Sequence, residues 1–204
     1  YEEEVESMEK IAILADSGCQ IPVDSRENEG IFIAPLTITM EGKSYLDDIE
    51  IHSIDVFKRM EKDDIMVMTS QPSTGSLQEA VQKIKDQGYS HVIGLPIATG
   101  LSSTMNGMKL ACDMLEMPVT LVDTKGTASN QKYLVEVAAK LAREGKSPEE
   151  IKDILEKLVE DSATIIMVPN LDHLKKGGRI TPAVAALAGL LKIVPIMKLN
   201  YSLG

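Results

Sequence analysis

The sequence predicts an α/β fold, with an N-terminal three-layer domain built on a largely parallel sheet and a second α/β domain that is incomplete at its C-terminal end. Three observations lead to this prediction. Short apolar runs alternate with amphipathic segments of helical length. Hydrophobic residues make up 44% of the 204-residue chain but aromatic residues only 3%, so the core is aliphatic. Past residue 161 a basic, glycine-rich turn breaks the alternation. We therefore predict domains at 10–160 and 161–204.

Apolar runs and the residues that end them define the elements of the first domain. Asp16 ends a buried first strand, residues 41–43 form a hairpin turn, and Gly88 and Gly145 each stop a helix. Ser147 begins the last helix, since serine is a good cap and is followed by proline and two glutamates. The predicted strands are 11–15, a short strand leading to residue 69, 91–95 and 119–122, and residues 31–40 are predicted to be β-rich. The predicted helices are 53–62, 75–87, 103–115, 129–143 and 148–160.

The predicted second domain contains a strand at 164–168, a helix at 183–191 with Thr181 as its cap, and a strand at 194–199. The chain stops soon after this last strand, so we expect the second domain to be truncated. Residues 1–9 carry five glutamates and no basic residue. We expect them to be a leader or an added segment, with Met8 as the native start.

Composition argues against several classes of partner. The net charge is −10 and the basic residues are scattered along helix faces, so no basic stripe is available for nucleic acid. The two cysteines and three histidines have no metal-ligand or disulfide spacing. Neither a dinucleotide fingerprint nor a P-loop is present. The longest relevant apolar run is too short to span a bilayer. We expect a cytoplasmic protein without a metal or cofactor.

Two hydroxyl-rich turns are the main candidate site. The first contains Thr69 and Ser70, and the second contains Thr99, Gly100, Ser102 and Ser103. Each is predicted to leave a strand and enter a helix, which directs main-chain N–H groups and hydroxyls at one spot and suits a carboxylate or phosphate. Neither turn holds a group able to attack a substrate or remove a proton. Simple helix capping is the alternative for each turn alone.

Three further positions are weaker candidates. Arg179 follows Gly178 in a basic loop and offers a planar fork for an anion, although a solvated turn is an equal alternative. Asp16 and Ser17 follow the first strand and could contact a ligand, but a capping role is favoured. Cys19 lacks an assigned activating partner and is interpreted as a packing residue.

Four stretches taken in order resemble the motifs of the DegV family and span most of residues 10–204. They are LADSGC at 14–19, IAPL at 33–36 followed by YLD at 45–47, TSQPS at 69–73 and LDHLKKGGRI at 171–180. Residues 98–104 depart from the family's usual SSGLSGT, with Ser103 in place of a glycine. The combination is specific, although no single stretch is.

The resemblance implies a protein that binds one long-chain fatty acid between two domains and presents its carboxylate to a fatty-acid kinase for phospholipid synthesis. It further implies that Thr69 and Ser102 contact the carboxylate and that Arg179 supports the step facing the kinase. The catalytic activity would then belong to the partner. We expect residues of the C-terminal segment to line the space for the acyl chain, namely Ala183, Leu187, Leu190 and Ile193.

Two other functions stay open on the sequence. One is a phosphotransferase or hydrolase that uses Asp16, His173 and Arg179 on a small phosphorylated metabolite. An exposed histidine at a helix start is the plainer interpretation of His173. The other is a transport or regulatory module whose partner recognises the bound lipid.

Overall fold

The computed structural model describes residues 9–63, 65–181, 184, 186 and 194–199. Its strands are β1 Ile11–Asp16, β2 Ile31–Ala34, β3 Thr37–Met40, β4 Lys43–Leu46, β5 Val67–Ser70, β6 His91–Leu95, β7 Val119–Leu121, β8 Ile165–Met167 and β9 Ile196–Lys198. Its helices are α1 Ser53–Asp63, α2 Thr74–Asp86, α3 Thr104–Met114, α4 Ala128–Arg143, α5 Pro148–Glu160 and α6 Asp172–Lys176.

The central sheet is parallel and has the order β2-β1-β6-β7. Helices cover both of its faces, as buried parallel strands require. Alternate residues of β1 point to opposite sides, so that Ile13 packs among residues of α4 and α5 while Leu14 packs among residues of α2 and α3. The predicted α/β fold with three layers is therefore confirmed.

A second sheet, with the order β4-β3-β5, is antiparallel throughout. The β-rich stretch predicted at 31–40 divides at Pro35 into β2 of the parallel sheet and β3 of the antiparallel sheet. Proline has no N–H to donate to a ladder and so favours a break there. The predicted hairpin turn is confirmed, with positive φ at Glu41 and Gly42.

Hydroxyl side chains cap the first turns of helices at three places in the chain. Ser147 and Glu150 form a complete capping box at α5, as predicted. The Ser73 hydroxyl accepts a hydrogen bond from the amide of Ser76 at 3.0 Å and begins α2. The Thr181 hydroxyl accepts one from the amide of Val184 at 3.4 Å, as expected of the predicted cap.

The C-terminal part contains α6 and the antiparallel pair β8 and β9. The four proposed tail-lining positions, Ala183, Leu187, Leu190 and Ile193, lie outside the described residues. The division into two domains at residue 161 stays a prediction. Among the helices within the described ranges, none is long and apolar enough to cross a membrane.

Candidate functional site

The two hydroxyl-rich turns lie next to each other at one end of the two sheets. The first ends β5, where Thr69 pairs with Ile38 and Ser70 pairs with Thr37 of β3. The second leaves β6 and turns tightly, with the amides of Leu101 and Ser102 both donating to the carbonyl oxygen of Ala98. Thr69 and Ser102 line the same cavity, so the structure brings together the two turns that the sequence singled out.

Arg179 bridges the two turns. Its Nη2 donates to the carbonyl oxygen of Thr69 at 3.2 Å, and its Nε donates to the carbonyl oxygen of Leu101 at 3.2 Å. A third bond, 2.6 Å long, joins Nη1 to the carbonyl oxygen of Gly177. Carbonyl groups are neutral, and within the described part of the chain Arg179 has no ion pair with a carboxylate. The positive charge of the guanidinium therefore remains uncompensated between the turns.

The hydroxyls of the turns fall into two groups. Those of Thr99 and Ser102 are engaged, because Thr99 donates to Asp123 Oδ2 at 2.5 Å and Ser102 shares a 2.8 Å hydrogen bond with Thr104. Those of Thr69, Ser70 and Ser103 are exposed and have no hydrogen-bond partner in the described ranges. These three hydroxyls are free to donate to a ligand, and Ser102 can also donate to one when Thr104 is the donor of their shared hydrogen bond.

The N-terminus of α3 points into the same region. Ser103 is its cap residue but makes no capping hydrogen bond with its side chain. The Thr104 amide is instead satisfied by the Ser102 hydroxyl at 3.3 Å. The first turn of this 11-residue helix contains no acidic residue. The partial positive charge of the helix start therefore adds to that of Arg179 in favouring an anion.

An apolar cavity of about 410 Å³ extends from the turns between α1, the antiparallel sheet and the segment after β8. This volume lies within the range of about 300–1,000 Å³ typical of small-molecule sites. Its walls are mainly aliphatic, with one phenylalanine. The apolar lining includes Ile38, Val56, Phe57, Met60, Val67 and Leu174.

A polar cleft of about 390 Å³ lies on the outer side of the same turns. Four of its lining residues are shared with the apolar cavity, namely Ser70, Leu101, Ser102 and Arg179. The other four are Gln71, Thr99, Gly100 and Ser103. A ligand with an anionic head and a long apolar tail fits this combination, since its head would lie at the shared residues and its tail in the cavity. Gly100 and Thr99 face the cleft rather than the cavity.

Asp16 does not reach either of these two spaces. It is fully buried and accepts hydrogen bonds from the amide of Ile97 at 2.7 Å, from that of Gly18 at 3.0 Å and from Gln131 Nε2 at 3.3 Å. Burial raises the pKa of Asp16 to about 6, against the lowering effect of these donors. Such a group supports the turn at residue 97 and is not positioned to attack a substrate.

Ser17 is likewise occupied by the protein. Its hydroxyl donates to Asp47 Oδ2 at 2.6 Å and accepts from the amide of Leu36 at 3.0 Å. Gly178 lines neither space. It has a φ of +74°, which glycine adopts without strain, and its role is to let the loop turn before Arg179. Burial raises the pKa of the Cys19 thiol to about 12, so this residue is a packing group, as the sequence indicated.

The sequence did not predict that Asp47 and helix α1 line the cavity. Asp47 lines the cavity, and its pKa is raised by burial. Helix α1 contributes Val56, Phe57 and Met60, whose spacing on one helical face is the signal that could have identified it. His173 lies in the first turn of α6, as expected, but the interpretation of it as exposed is wrong. It lines the cavity, with its Nδ1 buried and without a partner in the described ranges.

Comparison with known proteins identifies a family for this chain. A sequence model described as an uncharacterised protein of the DegV family matches residues 10–202. A DegV domain-containing protein of Staphylococcus aureus is 33% identical over 193 residues, which are 95% of this chain and 68% of that protein. The solved structure of DegV from Bacillus subtilis, described as a fatty acid binding protein, aligns with a TM-score of 0.82 at 30% identity over 95% of this chain and 69% of its own. A stearic acid-binding protein from Eubacterium ventriosum aligns with a TM-score of 0.81 at 26% identity over 95% and 68% of the two chains.

Proposed function

Because the chain belongs to the DegV family, we propose that it binds one long-chain fatty acid, with the carboxylate at the two hydroxyl turns and the acyl chain in the apolar cavity. The observation that carries the proposal is the junction of the two spaces. Ser70, Leu101, Ser102 and Arg179 line both the apolar cavity and the polar cleft. The fatty acids bound by similar structures from Bacillus subtilis and Eubacterium ventriosum support the same ligand class.

The acyl chain supplies most of the affinity. Burying a methylene group contributes about 0.8 kcal/mol, so a sixteen-carbon chain contributes up to about 12 kcal/mol before the costs of ordering and association. Each hydrogen bond to the charged head adds about 1.5–3 kcal/mol. The tail therefore determines whether the ligand stays bound, and the hydroxyls of Thr69 and Ser102 determine which way it points.

We further propose that the protein presents the carboxylate to a fatty-acid kinase in the cytoplasm, which phosphorylates it for phospholipid synthesis. In the described ranges the polar cleft is lined by hydroxyl, amide, glycine and leucine residues and by Arg179, with no carboxylate, imidazole or thiol. Such a lining can hold an anion but places no carboxylate or imidazole base beside its hydroxyls within the cleft, which supports a partner as the source of the chemistry. The buried Asp16 gives no support to a phosphotransferase within this chain.

The proposal is tested by extracting the purified protein with organic solvent and identifying the released lipid, followed by reloading with palmitate. We expect one fatty acid per chain and competition by other long-chain acids, but weak competition by the methyl ester, which lacks the anionic head. An extract without lipid, combined with no uptake of palmitate, would refute fatty-acid binding. Adding a bacterial fatty-acid kinase and ATP then tests the finer proposal through formation of acyl phosphate.

A pair of matched variants tests whether the acyl chain uses the cavity. Val67→Phe fills space at the cavity wall in β5, whereas Val119→Phe makes the same change in β7, outside the cavity lining. Both valines are partly buried, so the packing cost is comparable. We expect Val67→Phe to shift the preference towards shorter acyl chains and Val119→Phe to leave it unchanged.

A further inference from the structure

A buried polar cluster lies directly beneath the second hydroxyl turn, outside both the cavity and the cleft. Asp16, at the end of β1, accepts the amide of Ile97 at 2.7 Å. Gln131 of α4 donates from Nε2 both to Asp16 Oδ1 at 3.3 Å and to the carbonyl oxygen of Leu95 at 3.0 Å. Residues 95 and 97 are the points at which β6 passes into the turn that carries Thr99 and Ser102. Asp16 and Gln131 thus hold both sides of the entry to that turn.

The cluster contains one acceptor that no described residue satisfies. Gln131 is fully buried, and its Oε1 has no hydrogen-bond partner in the described ranges. A buried polar atom without a partner destabilises the fold, because it has lost its hydrogen bonds to water and gained none in return. Gly18 keeps this space open, because a Cβ there would lie 2.7 Å from Asp16 Oδ1 and 3.3 Å from Gln131 Oε1. The cluster therefore keeps an unused acceptor beside a buried carboxyl group.

We propose that Asp16 and Gln131 form a positioning pair for the carboxylate-binding turn, and that uptake of a proton by Asp16, with Gln131 Oε1 as the acceptor of the new O–H, loosens that turn and promotes release of the ligand. This inference rests on the proposed function, since it concerns how firmly the same site holds a fatty acid.

Protonation rearranges the hydrogen bonds of the pair. A proton from solvent adds to Asp16 Oδ1, and a half-turn of the Gln131 amide brings Oε1 to face the new O–H. The same half-turn moves Nε2 away from both of its acceptors, Asp16 Oδ1 and the Leu95 carbonyl, so that the Leu95 carbonyl loses its donor. The Ile97 amide now donates to a neutral carboxyl group, and a hydrogen bond to a neutral acceptor is about half as strong as one to a charged acceptor. Both changes fall on the entry to the turn, so the neutral pair holds Thr99 and Ser102 less firmly.

The protonation falls in an accessible range because burial raises the pKa of Asp16 to about 6. Four other ionisable groups lie around the pair. The thiol of Cys19 is neutral, with its pKa raised to about 12 by burial. Asp47 is bonded to the neighbouring Ser17, Asp123 holds Thr99 on the opposite side of the turn, and Lys132 follows Gln131 on α4. None of these four forms a hydrogen bond or ion pair with the Asp16 carboxylate in the described part of the chain.

The first experiment follows the pair without any ligand. Amide and side-chain chemical shifts of the ¹⁵N-labelled protein are recorded as the pH is lowered from about 7.5 to about 5, a range that brackets the Asp16 pKa. We expect the Ile97 amide and the Gln131 side-chain amide to shift together with a midpoint near pH 6. Asp16→Asn should abolish this transition. An Ile97 amide that does not titrate in the wild type would overturn the inference, whether or not the protein binds fatty acid.

The second experiment measures palmitate affinity over the same range in three proteins. We expect the wild type to lose affinity by about five-fold or more as Asp16 is neutralised. Asp16→Asn should bind weakly throughout and lack this step. Asp123→Asn is the matched control, because its carboxylate holds the same turn at Thr99 but is only partly buried, so it should bind more weakly yet keep the step. The same step in Asp16→Asn would show that only the ligand titrates and would refute the proposal. If none of the three proteins binds palmitate, the proposed function is refuted, and the chemical-shift experiment alone tests the Asp16–Gln131 pair.

Discussion

Removal of the Thr69 hydroxyl is the most direct perturbation of the proposed carboxylate contact. Thr69 lies at the end of β5, is exposed, and has no side-chain hydrogen bond in the described ranges. Thr69→Val keeps the shape and β-branching of the side chain and removes only the hydroxyl. Its main-chain carbonyl, which accepts from Arg179, is unchanged. The variant should therefore fold normally and lose one donor to the ligand.

The magnitude follows from the kind of bond that is lost. A hydrogen bond to a charged group contributes about 1.5–3 kcal/mol, which corresponds to an increase in Kd of about ten-fold to about 150-fold. The acyl contribution of up to about 12 kcal/mol is untouched, so the variant should still bind. We expect weaker retention of palmitate with no change in preferred acyl length.

Equilibrium titration with palmitate and with the uncharged hexadecanol measures this effect. The hydroxyl's contribution depends on the anionic head, so Thr69→Val should weaken binding of the acid far more than binding of the alcohol. Thr69→Ser keeps the hydroxyl and should stay close to the wild type. Affinities for palmitate that agree within about two-fold between the wild type and Thr69→Val would contradict the assigned contact, because that difference is below the smallest value expected for such a bond.

Three further predictions concern stability. Gly18→Ala should lower the free energy of unfolding by about 1–3 kcal/mol in urea, because its Cβ would lie 2.7 Å from Asp16 Oδ1; unchanged stability would mean that the cluster has room to relax. Ser147→Ala should cost about 1 kcal/mol through loss of the capping box, with unchanged palmitate binding, since α5 is outside the site. The pKa of Asp16 in the folded protein is about 6, above its ordinary value of 3.8. At a pH between these two values the folded state therefore holds a proton that the unfolded state has released. Compared with Asp16→Asn, the wild type should therefore lose about 3 kcal/mol of stability as pH rises from about 4 to about 6, with no further loss above about 7; a difference that does not vary with pH would contradict the raised pKa.

Local features of the fold could be predicted because local chemistry determines them. Ser147, Pro148 and Glu150 supply every group of a capping box within four consecutive positions, and the structure contains that box. The apolar runs of the parallel strands are buried on both faces, which is why they are readable as strands. The antiparallel sheet was not predictable in this way, since nothing within residues 67–70 specifies β3 as their partner.

The site could be predicted in part for the same reason. The two hydroxyl turns are local sequence features, whereas the direction of a side chain at a strand end depends on distant partners. Asp16 could face a ligand or the interior, and the choice is made by Gln131, 115 residues further along the chain. Arg179 reaches Leu101 and Thr69 across 78 and 110 residues. Its bridging role is therefore a property of the tertiary structure.

The bonds of Arg179 explain how one residue can tie two turns together and still attract an anion. Had the guanidinium been held by carboxylates, its charge would have been neutralised and the adjoining space made less favourable for a fatty-acid head. Its described partners are instead the carbonyl oxygens of Thr69, Leu101 and Gly177. Neutral acceptors fix its position while leaving its full charge to act on the space between the turns. The same arrangement explains why lysine would be a poor replacement, because a single ammonium group cannot reach in three fixed directions with the planar geometry of a guanidinium.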